Sequence, residues 1–127
     1  MTLWSIFRSP LIMGGDLPTL DDATRALRTN PEVIAVNQHG RIPHVVISLG
    51  RLRVSSSRAP AAGDHYLAVF NLDSVARRVA LPWNDVGLRA GRWRVRDVWA
   101  RTSRGTADSL HADLPAHGSS LLRVSTR

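Results

Sequence analysis

At 127 residues with 43% hydrophobic content, the chain is the size of one ordinary domain and has the apolar side chains for a sizeable core, which sets disorder aside. Its apolar runs are only a few residues long, against the roughly 20 needed to cross a bilayer, and it has no cysteine, so membrane-spanning helices, disulfides, thiolate nucleophiles and zinc–sulfur sites are excluded. The net charge of +7 raises the question of a polyanion partner, but all 17 basic residues are arginines scattered along the chain, a pattern closer to a GC-rich coding bias than to a nucleic-acid-binding face.

Residues Met1 to Arg8 lack the basic lead, long apolar stretch and small-residue cleavage site of a secretory signal, so the product as written is expected in the cytoplasm; the compartment of any longer parent stays open. Leu3 to Phe7 reads as the last turns of a helix that stops ahead of Pro10. Leu11-Ile12-Met13, closed by Gly14-Gly15, reads as a buried strand of a parallel sheet followed by a loop. A helix follows, capped by Thr19 or Asp21, with Asp21 and Asp22 in its first turn and Ala23, Ala26 and Leu27 as its apolar stripe. Asn30-Pro31 breaks it, and Pro31 restarts a helical segment through Val36.

From Arg41 onward, short alternating runs separated by Gly, Pro, Asn and Asp predict an antiparallel sandwich of Greek-key type. Seven strands are expected: Val45 to Leu49, Leu52 to Ser55, Tyr66 to Asn71, Arg77 to Leu81, Trp93 to Trp99, Leu110 to Leu114 and Ser120 to Val124. In the fifth, Trp93, Val95 and Asp97 share one face and Arg94, Arg96 and Val98 the other, which the arginines are expected to keep wet. Ser55 to Asp64, with three serines, Pro60 and Gly63, reads as a turn or loop. One strand and one helix bury a single face against each other and leave both strand edges unpaired, so residues 1 to about 40 need neighbours that the rest of this sequence does not offer.

The stretch Trp4-Ser5-Ile6-Phe7-Arg8-Ser9-Pro10-Leu11-Ile12-Met13-Gly14-Gly15-Asp16-Leu17 resembles the end of the catalytic barrel in family 27 glycoside hydrolases of the α-galactosidase (melibiase) type. Asn30 to Gln38 is similar to that family's final barrel helix and its exit to the β domain. Leu67 to Asn71 resembles a central strand of the β domain, Val95 to Trp99 its arginine-aspartate-leucine-tryptophan strand, and Leu114 to Gly118 its proline-histidine-glycine turn. Gly15 stands where the family often has asparagine, and His39-Gly40 where it usually continues with aspartate, proline, leucine and glycine, which implies a different exit loop. The resemblance implies a mainly β fold, an antiparallel β-sandwich over 41–127 preceded, over 1–40, by the terminal β/α unit of a truncated (β/α)8 barrel.

It also implies that the family's two catalytic aspartates belong to earlier barrel strands, for which there is no room before Trp4; a truncated gene, an internal start or a split reading frame would give such a chain. The implied partner is the missing N-terminal barrel portion or a chain that replaces it, with an α-galactoside as substrate of the full-length family only.

Retaining glycoside hydrolysis needs two carboxyl groups about 5 Å apart. Asp21-Asp22 is the only adjacent pair and is explained by helix capping, while neighbours on a helix point about 100° apart. Asp16, after the expected last barrel strand, is the most interesting single carboxylate, although the resemblance places it in a structural turn. Asp97, within an arginine-rich strand, is expected to be an ion-pair or hydrogen-bond partner. No catalytic residue is therefore assigned. His39, His44, His65, His111 and His117 lack the close spacing of metal ligands, and no Gly-x-Ser-x-Gly elbow occurs, so no metal or cofactor is expected. Trp83, Trp93 and Trp99 are expected to fill the core between sheets; a carbohydrate-binding module that stacks sugars on exposed tryptophans is the alternative.

Overall fold

The alternating pattern from residue 41 onward forms eight strands: β1 (Arg41–Leu49), β2 (Leu52–Arg58), β3 (His65–Asn71), β4 (Arg77–Pro82), β5 (Trp93–Asp97), β6 (Thr102–Ala107), β7 (Ser109–Leu114) and β8 (Ser119–Ser125). Ahead of them lie three helices, α1 (Thr2–Ile6), α2 (Asp22–Arg28) and α3 (Pro31–His39). This computed structural model describes residues 1–12, 14–15 and 17–126. The fold is mainly β, an antiparallel β-sandwich preceded by a short helical portion.

Six strands form one antiparallel sheet in the order β1-β2-β3-β8-β5-β6, and β4 pairs with β7 in a second. Register puts Val54 opposite Val69 and Leu67 opposite Leu122, so each large-sheet strand sends alternate apolar side chains into the space between the sheets. Val79, Leu110, Ala112 and Leu114 of the small sheet meet them, and the turn Trp83–Val86 closes the end with Trp83 and Val86 fully buried. The buried indoles are satisfied: Trp83 Nε1 donates to the Ala107 carbonyl and Trp93 Nε1 to the Arg89 carbonyl, both at 3.1 Å.

The opposite face of the same sheet carries a second core. Ala68, Tyr66, Leu121 and Val98 lie under Ile6 of α1 and Val33 and Val36 of α3, all three 0% exposed. Trp99 Nε1 donates to Thr2 Oγ1 at 3.0 Å, fixing the first helix to the far end of the chain.

Several expectations are corrected. The second strand, expected to end at Ser55, runs on to Arg58, so Ser56 and Ser57 are not a loop but, with Ser55, the buried middle of β2. They escape notice because serine reads as turn chemistry, whereas here Ser55 and Ser57, opposite Ala68 and Tyr66, lie on the face that the helices cover, Ser56 lies on the sandwich face opposite Leu67, and Ser57 Oγ donates to the Arg41 carbonyl at 3.1 Å. An eighth strand, β6, has no apolar periodicity and is held by backbone pairing to β5. The second face of β5 is not simply wet, since Arg96 reaches into the helical layer. The fifth strand ends at Asp97, whose Oδ1 accepts the Ala100 N–H at 2.9 Å and turns the chain.

Leu11 and Ile12 are not in a strand, and Ile12 is 86% exposed; a parallel strand needs a hydrogen-bonding neighbour on its edge, and no described segment supplies one. Met13, the last residue of that expected strand, lies outside the described residues.

Candidate functional site

The helical layer covers the sheet on one side only, and its outer side forms a cleft of about 950 Å³. Asn30 sets the cap of α3, its Oδ1 accepting from Glu32 N at 3.0 Å and Val33 N at 3.3 Å, with Pro31 in the first turn. Its Nδ2 donates to the Val98 and Trp99 carbonyls, both at 3.2 Å, so one buried side chain caps a helix and anchors it to the turn after β5. At the other end, Arg8 Nε donates to the Asn37 carbonyl at 3.1 Å, satisfying an orphan carbonyl of the last turn. Asn37 Nδ2 returns a 2.8 Å bond to the Ser9 carbonyl, which holds the segment leading to Leu11 along the cleft.

The cleft walls are apolar. Trp4, Leu11, Ile12, Leu27 and Ile34 line it, and Trp4 and Leu27 remain 57% and 46% exposed. Helix α2, the outer wall, buries none of its residues, so the expected stripe of Ala23, Ala26 and Leu27 has a face but nothing to pack against.

The carboxylates of Asp21, Asp22, Glu32, Asp64 and Asp97 have structural partners. Asp21 Oδ1 accepts from Thr24 N at 2.7 Å as the cap of α2, and that bond draws its pKa down. Asp22 pairs with Arg25 at 3.5 Å. Glu32 makes a two-pronged contact with Arg96, Oε2 accepting from Nε at 2.8 Å and Oε1 from Nη2 at 2.6 Å. That contact, opposed by partial burial, lowers the Glu32 pKa. Asp64 accepts from Arg123 at 2.6 Å, and Asp97, as expected, pairs with Arg104. Asp16 lies outside the described residues.

The histidines are dispersed. His39 closes α3 and His117 holds the Pro115–Gly118 turn with φ of 55°. His111 shares a 2.8 Å hydrogen bond with Ser109 Oγ. His44 Nδ1 lies 3.0 Å from the Ile42 carbonyl, which can only accept, so Nδ1 carries the proton. Burial, followed by nearby Arg58, pushes the His65 pKa down. No group of three or more potential metal ligands occurs among the described residues. Of the tryptophans, Trp83 and Trp93 are 1% and 3% exposed and Trp99 is half-buried on Thr2, so these three expose no stacking platform.

Two residues escaped sequence reasoning. Asn30 was read only as a helix breaker, although an Asn directly before Pro is itself a cap signal. Asn71, 1% exposed, donates through Nδ2 to the Val75 and Pro115 carbonyls at 2.8 and 2.9 Å, locking the loop after β3 to the Pro-Ala-His-Gly turn.

Known proteins match throughout this framework. A family model described as the alpha galactosidase C-terminal beta sandwich domain matches residues 53–124, and one described as alpha galactosidase A matches residues 1–39. The chain is similar to the α-galactosidase of Coffea arabica, 33% identical over 94% of this chain and 32% of that protein. It is similar to alpha-galactosidase A of Cellvibrio japonicus at 32% identity, over 99% of this chain and 34% of that protein. Among solved structures it superimposes on the glycoside hydrolase family 27 β-L-arabinopyranosidase of Geobacillus stearothermophilus, crystallised with arabinose, with a TM-score of 0.92 and 35% identity over 99% of this chain and 29% of that one. For α-galactosidase I of Mortierella vinacea the TM-score is 0.87 and the identity 27%, over 97% of this chain and 33% of that one. The chain spans about a third of the length of these relatives.

Proposed function

The chain belongs to the α-galactosidase family, and from that membership we propose that it is the C-terminal portion of a retaining glycoside hydrolase, stabilising the enzyme without cutting the sugar bond itself. In this reading residues 1–40 are the terminal unit of the catalytic barrel and 41–127 the β domain. The complete protein would hydrolyse terminal α-D-galactosyl residues.

The observation that carries the proposal is the unfinished helical layer. An apolar cleft of about 950 Å³ with exposed Trp4, Ile12 and Leu27 around it, and an outer helix that buries nothing, is a surface of the kind that more protein covers. The occupant we assign is the barrel portion that precedes this region in relatives three times as long, whose strands would give Leu11 and Ile12 their missing neighbours.

The carboxylates support the absence of chemistry in this portion. A retaining enzyme needs an acid/base carboxyl with a raised pKa beside a nucleophile. Asp21 and Glu32 are shifted the other way, and Asp64, Asp97 and Asp22 are held by arginines. Nor is the sugar chosen here. An arabinopyranosidase and several α-galactosidases share this region with similar identity, which supports specificity arising elsewhere in the complete protein.

Incubated with a chromogenic α-galactoside, the chain alone is expected to release no product. Turnover that disappears on Asp16→Asn would overturn the proposal.

A further inference from the structure

Strand register gathers basic side chains that stand far apart in sequence. Arg41 of β1 is directly opposite Arg58 of β2, and Arg58 is directly opposite His65 of β3. Opposed residues of an antiparallel pair share a face, so two guanidinium groups and an imidazole form a row across one end of the large sheet. Arg41, His44 and Arg58 are exposed and His65 is half-buried.

Like charges directly across a strand pair destabilise it. Elsewhere eight arginines each lie within 4 Å of a carboxylate, Arg78 on Asp113 at 2.8 Å among them. Among the described residues neither Arg41 nor Arg58 has such a partner, and the nearest acid along the chain, Asp64, is taken by Arg123. The row is also fixed in place. β2 and β3 are internal strands, Ser57 Oγ holds the Arg41 carbonyl, and the His65 ring meets buried Trp93 edge-on at 6.2 Å. His44 belongs to the same cluster: after burial, Arg58 acts on His65, then Asp64 in the opposite sense, then His44.

A fixed row of donors whose one neighbouring acid, Asp64, is already paired with Arg123 can bind an anion, and the guanidinium fork matches a pair of oxygens of a carboxylate or a sulfate. We propose that Arg41, Arg58 and His65, with His44 beside them, bind the anionic group of a carboxylate- or sulfate-bearing saccharide. The anion contact rests on geometry; the choice of a saccharide rests on the family reading given above. On this account the two arginines lower the stability of the empty chain and are retained for a ligand.

The full chain would be titrated at low ionic strength with an oligogalacturonate, a sulfated galacto-oligosaccharide, a neutral galacto-oligosaccharide and inorganic phosphate. At least one anionic saccharide is expected to bind about tenfold or more tightly than the neutral saccharide and phosphate, with Arg41→Gln/Arg58→Gln removing about tenfold or more of that affinity. The double variant should unfold at the same or a higher temperature, and Arg78→Gln, on the small sheet, should leave binding unchanged. Undiminished binding by the double variant, equal binding of phosphate or neutral saccharide, or a lower unfolding temperature of the double variant would each overturn the proposal. Hydrolysis of an α-galactoside by the chain alone would defeat the function proposed earlier without altering this titration, so the two failures are separable.

Discussion

Glu32 shows how one side chain joins layers that the sequence keeps 64 residues apart. It sits one residue after the proline that opens α3, where its charge favours the helix N-terminus, and its carboxylate grips Arg96 of β5 from two directions while Arg101 approaches at 3.7 Å. Arg96 holds that carboxylate below its ordinary pKa of 4.5, against the opposing effect of partial burial. A carboxylate with a depressed folded pKa contributes stability that is fully present above its unfolded pKa and is lost as pH falls through the folded value. The chain should therefore weaken progressively below about pH 4.5. Glu32→Gln should lower stability at neutral pH and flatten part of that acid slope, as read by urea unfolding at a series of pH values. A variant whose acid slope equals that of the parent chain would show that Glu32 has no share in it. Arg96 is substantially exposed, so solvent screening keeps the effect modest.

At the level of elements, the junction between α3 and β1 is the tightest point in the chain. Helix ends at His39 and strand begins at Arg41, leaving Gly40 alone between them. Its φ of −59° suits any residue, so glycine is there for space: an added Cβ would meet the Val36 carbonyl oxygen at 2.7 Å and Ser57 Oγ at 2.8 Å. Gly40→Ala should cost about 1–3 kcal/mol, since a backbone carbonyl cannot rotate away as a side chain can; denaturant unfolding would measure it, and an unchanged midpoint would mean that the junction yields freely. This direct passage is the structural counterpart of the departure at His39-Gly40 noted in the sequence. Other elements were legible to the degree that burial imposed a period. β3 and β8 run apolar because both of their faces are covered, and β4 and β7 alternate because one face of each is buried and the other wet. β6, Thr102–Ala107, is exposed along most of its length, so nothing selects its side chains and no pattern marks it. The serines of β2 gave the opposite error, polar residues buried in a strand, Ser55 and Ser57 of them beneath the helical layer where small side chains fit. The row of Arg41, Arg58 and His65 was illegible for a third reason: proximity across strands depends on register, and the two bulges of β1 cannot be read from its residues.

On the scale of the whole molecule, one sheet supports two cores. The sandwich core lies between the sheets, while the second core binds α1 and α3 to the opposite face. Helices α1 and α3 therefore do not depend on a barrel for their position: Ile6, Val33 and Val36 are completely buried against the β strands, and Asn30, Thr2 and Glu32 add polar ties. What such an arrangement leaves unsatisfied is the outer side of the helices, where a preformed apolar cleft faces solvent. A neutral apolar dye such as N-phenyl-1-naphthylamine should then fluoresce on binding the chain while its near-ultraviolet circular dichroism remains that of a packed protein, which separates a real cleft from a loosened core. Trp4→Gln combined with Leu27→Gln should reduce that fluorescence by about half or more, yet shift stability by no more than about 1 kcal/mol, because both side chains are already about half in water. Dye binding that survives both substitutions would place the apolar surface elsewhere and take away the seat assigned to the barrel. If the signal falls as expected, adding a polypeptide that carries the earlier barrel strands should displace the dye, since one surface cannot hold both.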